Sequence, residues 1–482
     1  MMKNFNQFDQ RLREKAKAEE IDMPQGFNER IDHLLENLAE AQAEQQIGDN
    51  KAYKSRNGRK RSKFSSIAAA AAVILLLPTV IAFTSPQAVN MAEGAISYFN
   101  APKEFKYLSK QAEYEKYNAA VDLCSTDQGI SITLNNIAVD DNYINVFYTL
   151  ESEEPIQLLG DADTPEQWRL GWTAAHFWFK ADGRYIEPAA QGETDAYLVD
   201  QHTMKGMQRF ALLDQLEDNF NLEMYTNWIG NREGQWHIAV NVDKSSVAVA
   251  GNTVLPNLKA SVTSGWGEKT AEHDITVKKV SISPFGSQIV LSERGENIFY
   301  NFAVRDEKGN YLPVIPAGQI ASKIFKVDNS FEFIPKTKNM KQVTIIPIMD
   351  DGHSQLQFID QETLLAQLND GQSVKLAVND SGSYVLESLK IDQEKMVAVL
   401  HQEGAVSVIN PEFMPADETG QLLQCAEYVD HEYNRENGEI TLTYYWGKDV
   451  TQEDLEEIKG FCYWTNYDFQ LSEDEAITID LN

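Results

Sequence analysis

One stretch near the start of this 482-residue chain constrains it most. Ile67 to Phe83 is an unbroken run without a charge: Ile67, the five alanines Ala68 to Ala72, then Val-Ile-Leu-Leu-Leu-Pro-Thr-Val-Ile-Ala-Phe. At a helical rise of about 1.5 Å per residue it reaches roughly 25 Å, and Phe64 to Thr84 roughly 31 Å, which matches a bilayer core. Lys51, Lys54, Arg56, Arg59, Lys60, Arg61 and Lys63 precede it with no acid among them, and the first charge after it is Glu93. Basic flanks stay cytoplasmic, so the N-terminus is expected inside the cell and the remainder outside. The basic run, with Arg59, Lys60, Arg61 and Lys63 nearest the span, is also drawn to anionic lipid. A buried core helix fits such a one-sided flank poorly. A cleaved signal peptide, with Val80-Ile81-Ala82 as its processing site, fits poorly too. Signal peptides have short n-regions, and here the whole of segment 1–63 comes first.

Charge divides the chain at the same point. Residues 1–63 carry 13 Lys/Arg and 11 Asp/Glu, whereas the rest carries 29 and 62, within a total of −31. Such asymmetry fits two environments on one chain and excludes a broad nucleic-acid-binding surface, which has to be basic. The three cysteines, Cys124, Cys425 and Cys462, are too few for a disulfide scaffold. Cys425 and Cys462 are a possible bridge, with two separate buried thiols as the plainer reading.

The N-terminal arm has two amphipathic patterns. Phe5, Phe8 and Leu12 follow i, i+3, i+7, and Phe27, Ile31, Leu34, Leu35 and Leu38 follow i, i+4, i+7, i+8, i+11, with Pro24 and Gly26 between them. Two short helices cannot hide these groups alone, so the arm is expected to bind a partner, a membrane surface, or only itself. Ala41 to Ser66 reads as a polar tether. After the span, Ser85-Pro86 followed by Val89, Ala92, Ile96 and Phe99 predicts a juxtamembrane helix.

From Gly129 the pattern turns to period two. One motif recurs: Leu134-Asn-Asn-Ile137-Ala-Val139, Val277-Lys-Lys-Val280-Ser-Ile282 and Leu386-Glu-Ser-Leu389-Lys-Ile391, each followed by a turn and a second strand. The turns are Asp140-Asp141-Asn142, Ser283-Pro284-Phe285-Gly286 and Asp392-Gln393-Glu394. Copies that begin at Leu134, Val277 and Leu386 are too far apart for a solenoid and suit β-sandwich domains. Each unit closes on a strand-like run: Trp236 to Val242, Val343 to Ile348 and Ile477 to Leu481. The expected organisation is a cytoplasmic arm (1–63), a transmembrane helix (64–84), a helical connector (85–128) and three tandem β-sandwich or immunoglobulin-like domains (129–260, 270–380, 382–482).

Ala18-Glu-Glu-Ile-Asp-Met-Pro24 leading into Phe27-Asn-Glu-Arg-Ile31, the Arg59-Lys60-Arg61 flank, the Ala-rich span, and Gly129-Ile-Ser-Ile-Thr-Leu-Asn-Asn-Ile137 stand in this order along the chain. Together these four features resemble a family of Gram-positive membrane proteins carrying domain of unknown function 4179. Ile275 to Leu312 is similar to the immunoglobulin-like domain that often follows in such proteins. The resemblance implies an anti-sigma factor. The arm, through Phe5, Phe8, Leu12, Phe27, Ile31, Leu34, Leu35 and Leu38, would then restrain an extracytoplasmic-function sigma factor, and the ectodomain would sense an envelope component. Zinc-type anti-sigma domains use a His and two Cys; this arm has only His33 and no cysteine, so it departs from that type.

No metalloprotease, nucleophile-elbow, phosphate-loop or dinucleotide motif occurs, so no catalytic residue, cofactor or metal is assigned. Asp161 and Asp163 lack the glycine of a calcium loop. His176 beside Phe177-Trp178-Phe179 is expected in the core. Trp168, Trp172, Trp178, Trp228 and Trp236 are expected there too, with an exposed sugar-binding platform as the rival reading. Asn410-Pro411 is expected to be a turn. Pro78 removes a backbone hydrogen bond within the span, which either kinks an anchor or loosens it for an intramembrane protease. The alternative function is a membrane-anchored wall- or carbohydrate-binding module.

Topology is directly testable. With the native Cys124 replaced by serine, cysteines placed at residues 40 and 300 of the intact chain in its native membrane should react with an impermeant thiol reagent only at 300. The opposite pattern, or a mature chain starting near Phe83, overturns the anchor reading.

Overall fold

A computed structural model describes residues 87–481 apart from 101–107, 163, 188–192, 267–268, 295–298, 300, 324–325, 338, 351–353, 409–410 and 467–468. The described residues are mainly β, as the period-two pattern requires. Their apolar side chains gather chiefly into three clusters, which define three lobes.

The recurring motif explains how the lobes are built. In each copy it forms the first strand of an antiparallel hairpin: Ile130–Val139 with Tyr143–Ser152, Lys269–Ser283 with Gly286–Arg294, and Gly382–Ile391 with Lys395–Gly404. Apolar residues at i, i+3 and i+5 cannot all face one side of a regular strand, where side chains alternate. The register therefore shifts at the same place in all three copies, between Leu134 and Asn136, Val277 and Lys279, and Leu386 and Ser388. One extra residue at that point is a β-bulge. In the first two copies it brings both members of the i, i+3 pair, Leu134 with Ile137 and Val277 with Val280, into the core.

The first lobe packs two five-stranded sheets on one core. One runs, in spatial order, Gln87–Asn90, Arg232–Asp243, Asn219–Ile229, Trp178–Ala181, Arg184–Tyr185; the other runs Ala119–Asp127, Ile130–Val139, Tyr143–Ser152, Thr203–Ala211, Glu193–Leu198. Close approach is built into the second sheet. Gly206 lies opposite Tyr148, and a Cβ there would sit 2.3 Å from the tyrosine ring. The middle lobe is an 11-stranded sheet system, and the third combines a five-stranded sheet with the three-stranded set Ser354–Asp360, Gly460–Asn466, Met414–Ala416.

Two expectations fail here. The helical connector is not formed: Gln87–Asn90 is a strand paired in parallel with Val240–Asp243, and the only α-helix described between residues 85 and 128 is Gln111–Lys116. Val89, Ile96 and Phe99 are buried as their apolarity requires, but on a sheet edge and a 3-10 turn, because tertiary pairing overrides a helical spacing this short. The closing run Ile477–Asp480 does not finish the third lobe. It pairs with Gln342–Asp350, and Ile477, Ile479 and Leu481 join the middle core.

The repeated turns hold the first two lobes together. Asp140 Oδ1 accepts the N–H groups of Asn142 and Tyr143 (both 2.8 Å), and its Oδ2 accepts that of Phe285 (3.1 Å). The Asn142 amide donates to Ser283 Oγ (3.0 Å) and to the Gly286 carbonyl (2.8 Å). Phe285 leaves its own lobe, lies in the first core and stacks on Tyr114 at 5.0 Å. The third turn, whose Asp392 Oδ1 takes the Glu394 and Lys395 N–H groups in the same way, has its carboxylate at the surface.

All three lobes meet at Glu332. Arg209 of the first lobe grips its carboxylate with two guanidinium nitrogens (2.9 and 3.0 Å), and Arg435 of the third donates Nε to both oxygens (3.1 Å each). All three side chains are at least 90% buried. Burial pushes the Glu332 carboxyl up, but Arg209 and Arg435 outweigh it and hold it below the usual range. Arg209 also stacks on Tyr143, 3.4 Å from the ring centre. Gly286 has φ +152, and a Cβ there would meet Glu332 Oε1 at 2.5 Å and Arg209 Nη2 at 2.6 Å.

Removing one member of such a buried cluster strands the others' charge, at about 3–5 kcal/mol. Glu332→Ala should therefore lower unfolding stability by that amount in denaturant titrations. Gly286→Ala, which removes no charge, should also destabilise. An effect of Glu332→Ala within ~0.5 kcal/mol, the range of an ordinary surface change, overturns the assignment.

Candidate functional site

The exposed aromatic residues are the feature least explained by folding. Of the five tryptophans expected in the core of the first lobe only Trp236 is there, its indole N–H donating to the Ile130 carbonyl (2.9 Å). Trp168, Trp172, Trp178 and Trp228 are exposed, at 37–56%. His176 is likewise at the surface, with Nε2 3.3 Å from the Gly171 carbonyl. Alternation is the reason. In His176-Phe177-Trp178-Phe179 the two phenylalanines take the inward positions, so the histidine and the tryptophan face out.

Trp168, Trp172 and Trp178 fall into two groups. Trp168 and Trp172 lie on the helix Glu166–Thr173, with centroids 5.6 Å apart. Trp168 packs edge-on against Tyr428 of the third lobe, Tyr428 stacks on Tyr445, and the Tyr445 hydroxyl donates to Gln167 Oε1 (2.6 Å). This group is thus partly spent on joining the first lobe to the third. The other group, Trp178, Tyr185 and Tyr225, lies on the outer face of the first-lobe sheet.

The third lobe contains a cleft of about 310 Å³ lined by Leu376, Tyr384, Val406, Glu412, Trp464 and Phe469. Trp464 donates its indole N–H to Glu412 Oε2 (2.9 Å) across its rim. Among the described residues no group of three or more His, Cys, Asp or Glu is placed to hold a metal ion.

Cys425 and Cys462 do not form the possible bridge: both are free and buried. Cys425 precedes the strand Ala426–Tyr433, its carbonyl taking the Gly447 N–H (2.9 Å). Cys462 lies within Gly460–Asn466 with its thiol on the Gly420 carbonyl (3.5 Å). Burial raises both thiol pKa values, which keeps them protonated. Phe5, Phe8, Leu12, Phe27, Ile31, Leu34, Leu35, Leu38, Arg59, Lys60, Arg61 and Lys63, the apolar span, Asp163 and Asn410 lie outside the described residues. Among the described residues no helix is long and apolar enough to cross a membrane.

Sequence reasoning missed Lys279. It occupies the inward position created by the second bulge, fully buried, and donates to the carbonyls of Asp141 (3.0 Å) and Leu212 (2.9 Å) in the first lobe. Burial pulls its pKa from the ordinary 10.5 down to about 7, against the raising effect of Asp140, Asp141 and Asp214. The Lys-Lys at the bulge was the only available signal.

The described residues are mainly β, and their three main apolar clusters are joined through repeated turns and buried charge. Residues 59–152 match the family described as "Domain of unknown function (DUF4179)", and residues 267–378 match "Family of unknown function (DUF5643)". The resemblance read from the sequence is thus borne out: the chain carries the DUF4179 domain, with a second family's domain beyond it. Two solved structures are similar at a low level. A conserved domain protein from Bacillus anthracis shows 15% identity over 54% of this chain and 86% of its own, with a TM-score of 0.35. The N-terminal eight Ig domains of Down Syndrome Cell Adhesion Molecule isoform 1.30.30 show 8% identity over 74% of this chain and 42% of their own, with a TM-score of 0.14. No curated protein matches the chain.

Lys279 gives a pH signature. Between about 7 and 10 the unfolded chain holds a proton on this lysine that the folded chain lacks, so stability rises with pH across that window. Unfolding titrations at pH 7, 8 and 9 should show the rise, and Lys279→Met should flatten it. An unchanged slope in the variant assigns the rise to other groups.

Proposed function

We propose that this chain is a single-pass membrane regulator. Its cytoplasmic arm restrains an extracytoplasmic-function sigma factor, and its three related β-sandwich-like lobes sense an envelope component outside the cell. The supporting observation is the extent of the DUF4179 match. Residues 59–152 take in the basic flank from Arg59, the whole apolar run and the first repeated hairpin as one family unit. A domain that joins a membrane-flanking segment to an extracytoplasmic hairpin suits a protein that reports from one side to the other. The arm supplies the output: Phe5, Phe8, Leu12, Phe27, Ile31, Leu34, Leu35 and Leu38 are large apolar groups, each worth about 1.5–3 kcal/mol if buried against a partner. Asp32, Glu36 and Glu40 on the second pattern oppose anionic lipid and favour a protein partner.

The second reading is an anchored wall- or carbohydrate-binding module without regulation, favoured by the exposed tryptophans of the first lobe.

The full chain in detergent micelles, mixed with purified sigma factors of its host, should retain one of them. Ile31→Asp with Leu35→Asp should weaken that capture at least tenfold. If no sigma factor is retained, or the double variant retains it equally, the regulator reading fails and the anchored module stands.

A further inference from the structure

The outer face of the first-lobe sheet carries a composition that folding does not call for. On this sheet Phe179, Leu222, Met224, Ile238 and Val240 point into the core, and their alternating neighbours face away from it. Register places those neighbours in rows. Trp178 lies opposite Tyr225, which lies opposite His237; Tyr185 lies opposite Lys180, which lies opposite Glu223. Trp178 and Tyr185 are 45% and 48% exposed, with ring centres 6.2 Å apart and planes inclined by 35°. The two rings therefore form one continuous, shallow platform. Lys180 Nζ stands 5.3 Å from the Tyr225 ring centre beside it.

Polar groups border the platform. Glu223 Oε2 lies 3.3 Å from His237 Nε2, and both side chains remain partly exposed, at 26% and 48%. The Asn221 amide donates to Asn241 Oδ1 (3.0 Å), which sets both carboxamides on the same face. Charge is nearly balanced: Lys180 and Arg184 stand against Asp182, Glu187 and Glu223, in a chain whose part beyond residue 63 is strongly acidic.

Each feature restricts the occupant. Flat exposed rings with an electron-rich face attract weakly positive C–H groups laid over them. Adjacent carboxylate, amide, imidazole and ammonium groups then bond hydroxyls directed sideways. A pyranose ring has both surfaces: axial C–H groups on its faces and hydroxyls around its rim. Local charge balance selects a neutral sugar over a polyanion, and the acidic surroundings disfavour a nucleic acid or an anionic lipid surface.

We propose that the face formed by Trp178, Tyr185, Tyr225, Lys180 and Glu223 is a binding site for an uncharged polysaccharide strand, with pyranose rings stacked on Trp178 and Tyr185. The site names the ligand class of the envelope-sensing reading and rests on that reading only for its biological setting. Binding itself is independent of the cytoplasmic arm.

The test uses the full chain in detergent micelles, titrated by calorimetry with chitohexaose and cellohexaose as neutral probes and with polygalacturonate as an anionic one. At least one neutral hexasaccharide should bind more tightly than polygalacturonate. Trp178→Ala with Tyr185→Ala should weaken it tenfold or more, and Trp172→Ala, in the other aromatic group, should leave it unchanged. Equal thermal unfolding of the variants shows that the loss is local. Because exposed rings can be replaced without opening the core, Trp178→Phe should restore most of the affinity. The proposal is overturned if neither neutral probe binds, if the double variant binds equally, or if the platform changes abolish only co-sedimentation with phosphatidylcholine vesicles. Failure here with sigma capture intact leaves the regulator standing without this ligand, whereas loss of sigma capture with sugar binding intact selects the anchored module.

Discussion

A single buried carboxylate sets the relation of the three lobes. Glu332 is on the middle lobe, and its two arginine partners come from the lobes on either side. None of the three charges has water to fall back on, so separating the lobes means rehydrating all of them or leaving one unpaired in the interior. That cost makes the arrangement all-or-none. The surrounding contacts follow from it: Phe285 fills the first core only when the Ser283–Gly286 turn is seated, and Asp140 and Asn142 find their partners on that turn. A buried ion cluster adds little net stability compared with apolar packing. What it adds is specificity, since three lobes with apolar cores have many poor ways to stack and one that pairs these charges.

The sequence carried the hairpins because they are local. Three copies of an i, i+3, i+5 pattern ahead of a turn led to three strand pairs, and the bulge they share was implicit in the spacing. Where the reading failed, the deciding partner was remote. Gln87–Asn90 takes its conformation from Val240–Asp243, much later in the chain, and Ile477–Asp480 takes its own from Gln342–Ile345, much earlier. Spacing within a short window of sequence cannot see either. The tryptophans failed for a different reason. Size and apolarity place an isolated tryptophan inside, but strand parity decides which of two adjacent aromatics gets there, and in Phe177-Trp178-Phe179 parity favoured the phenylalanines. For Cys425 and Cys462 the plainer reading, two separate buried thiols, holds.

Folding explains the inward face of both sheets in the first lobe, and it explains part of the Trp168 group through Tyr428 and Gln167. It does not explain Trp178 and Tyr185, where a polar residue would serve the sheet equally well and lower the risk of association. Large exposed rings kept beside a matched set of charges and amides are therefore a better guide to function here than any single motif in the chain.

Position on the sheet gives that surface a mechanical meaning within the proposed regulator. The aromatic platform occupies one edge of a five-stranded sheet, and Gln87–Asn90 occupies the other. That edge strand begins just after the apolar run ends at Phe83; it is hydrogen-bonded to a neighbouring strand on one side only, Val240–Asp243, with Val89 anchored in the core. A bound ligand transmits a signal only if its affinity differs between two states of the protein. The core strands, bonded on both sides and docked through Glu332, are poor candidates for a second state. A short edge strand bonded on one side is a good one, because local opening free energies are lowest where pairing is sparse. Stiffening of the sheet by a polysaccharide at one edge would favour the paired state of Gln87–Asn90 at the other. Loss of the ligand would favour its release without disturbing the charged joint that holds the lobes together.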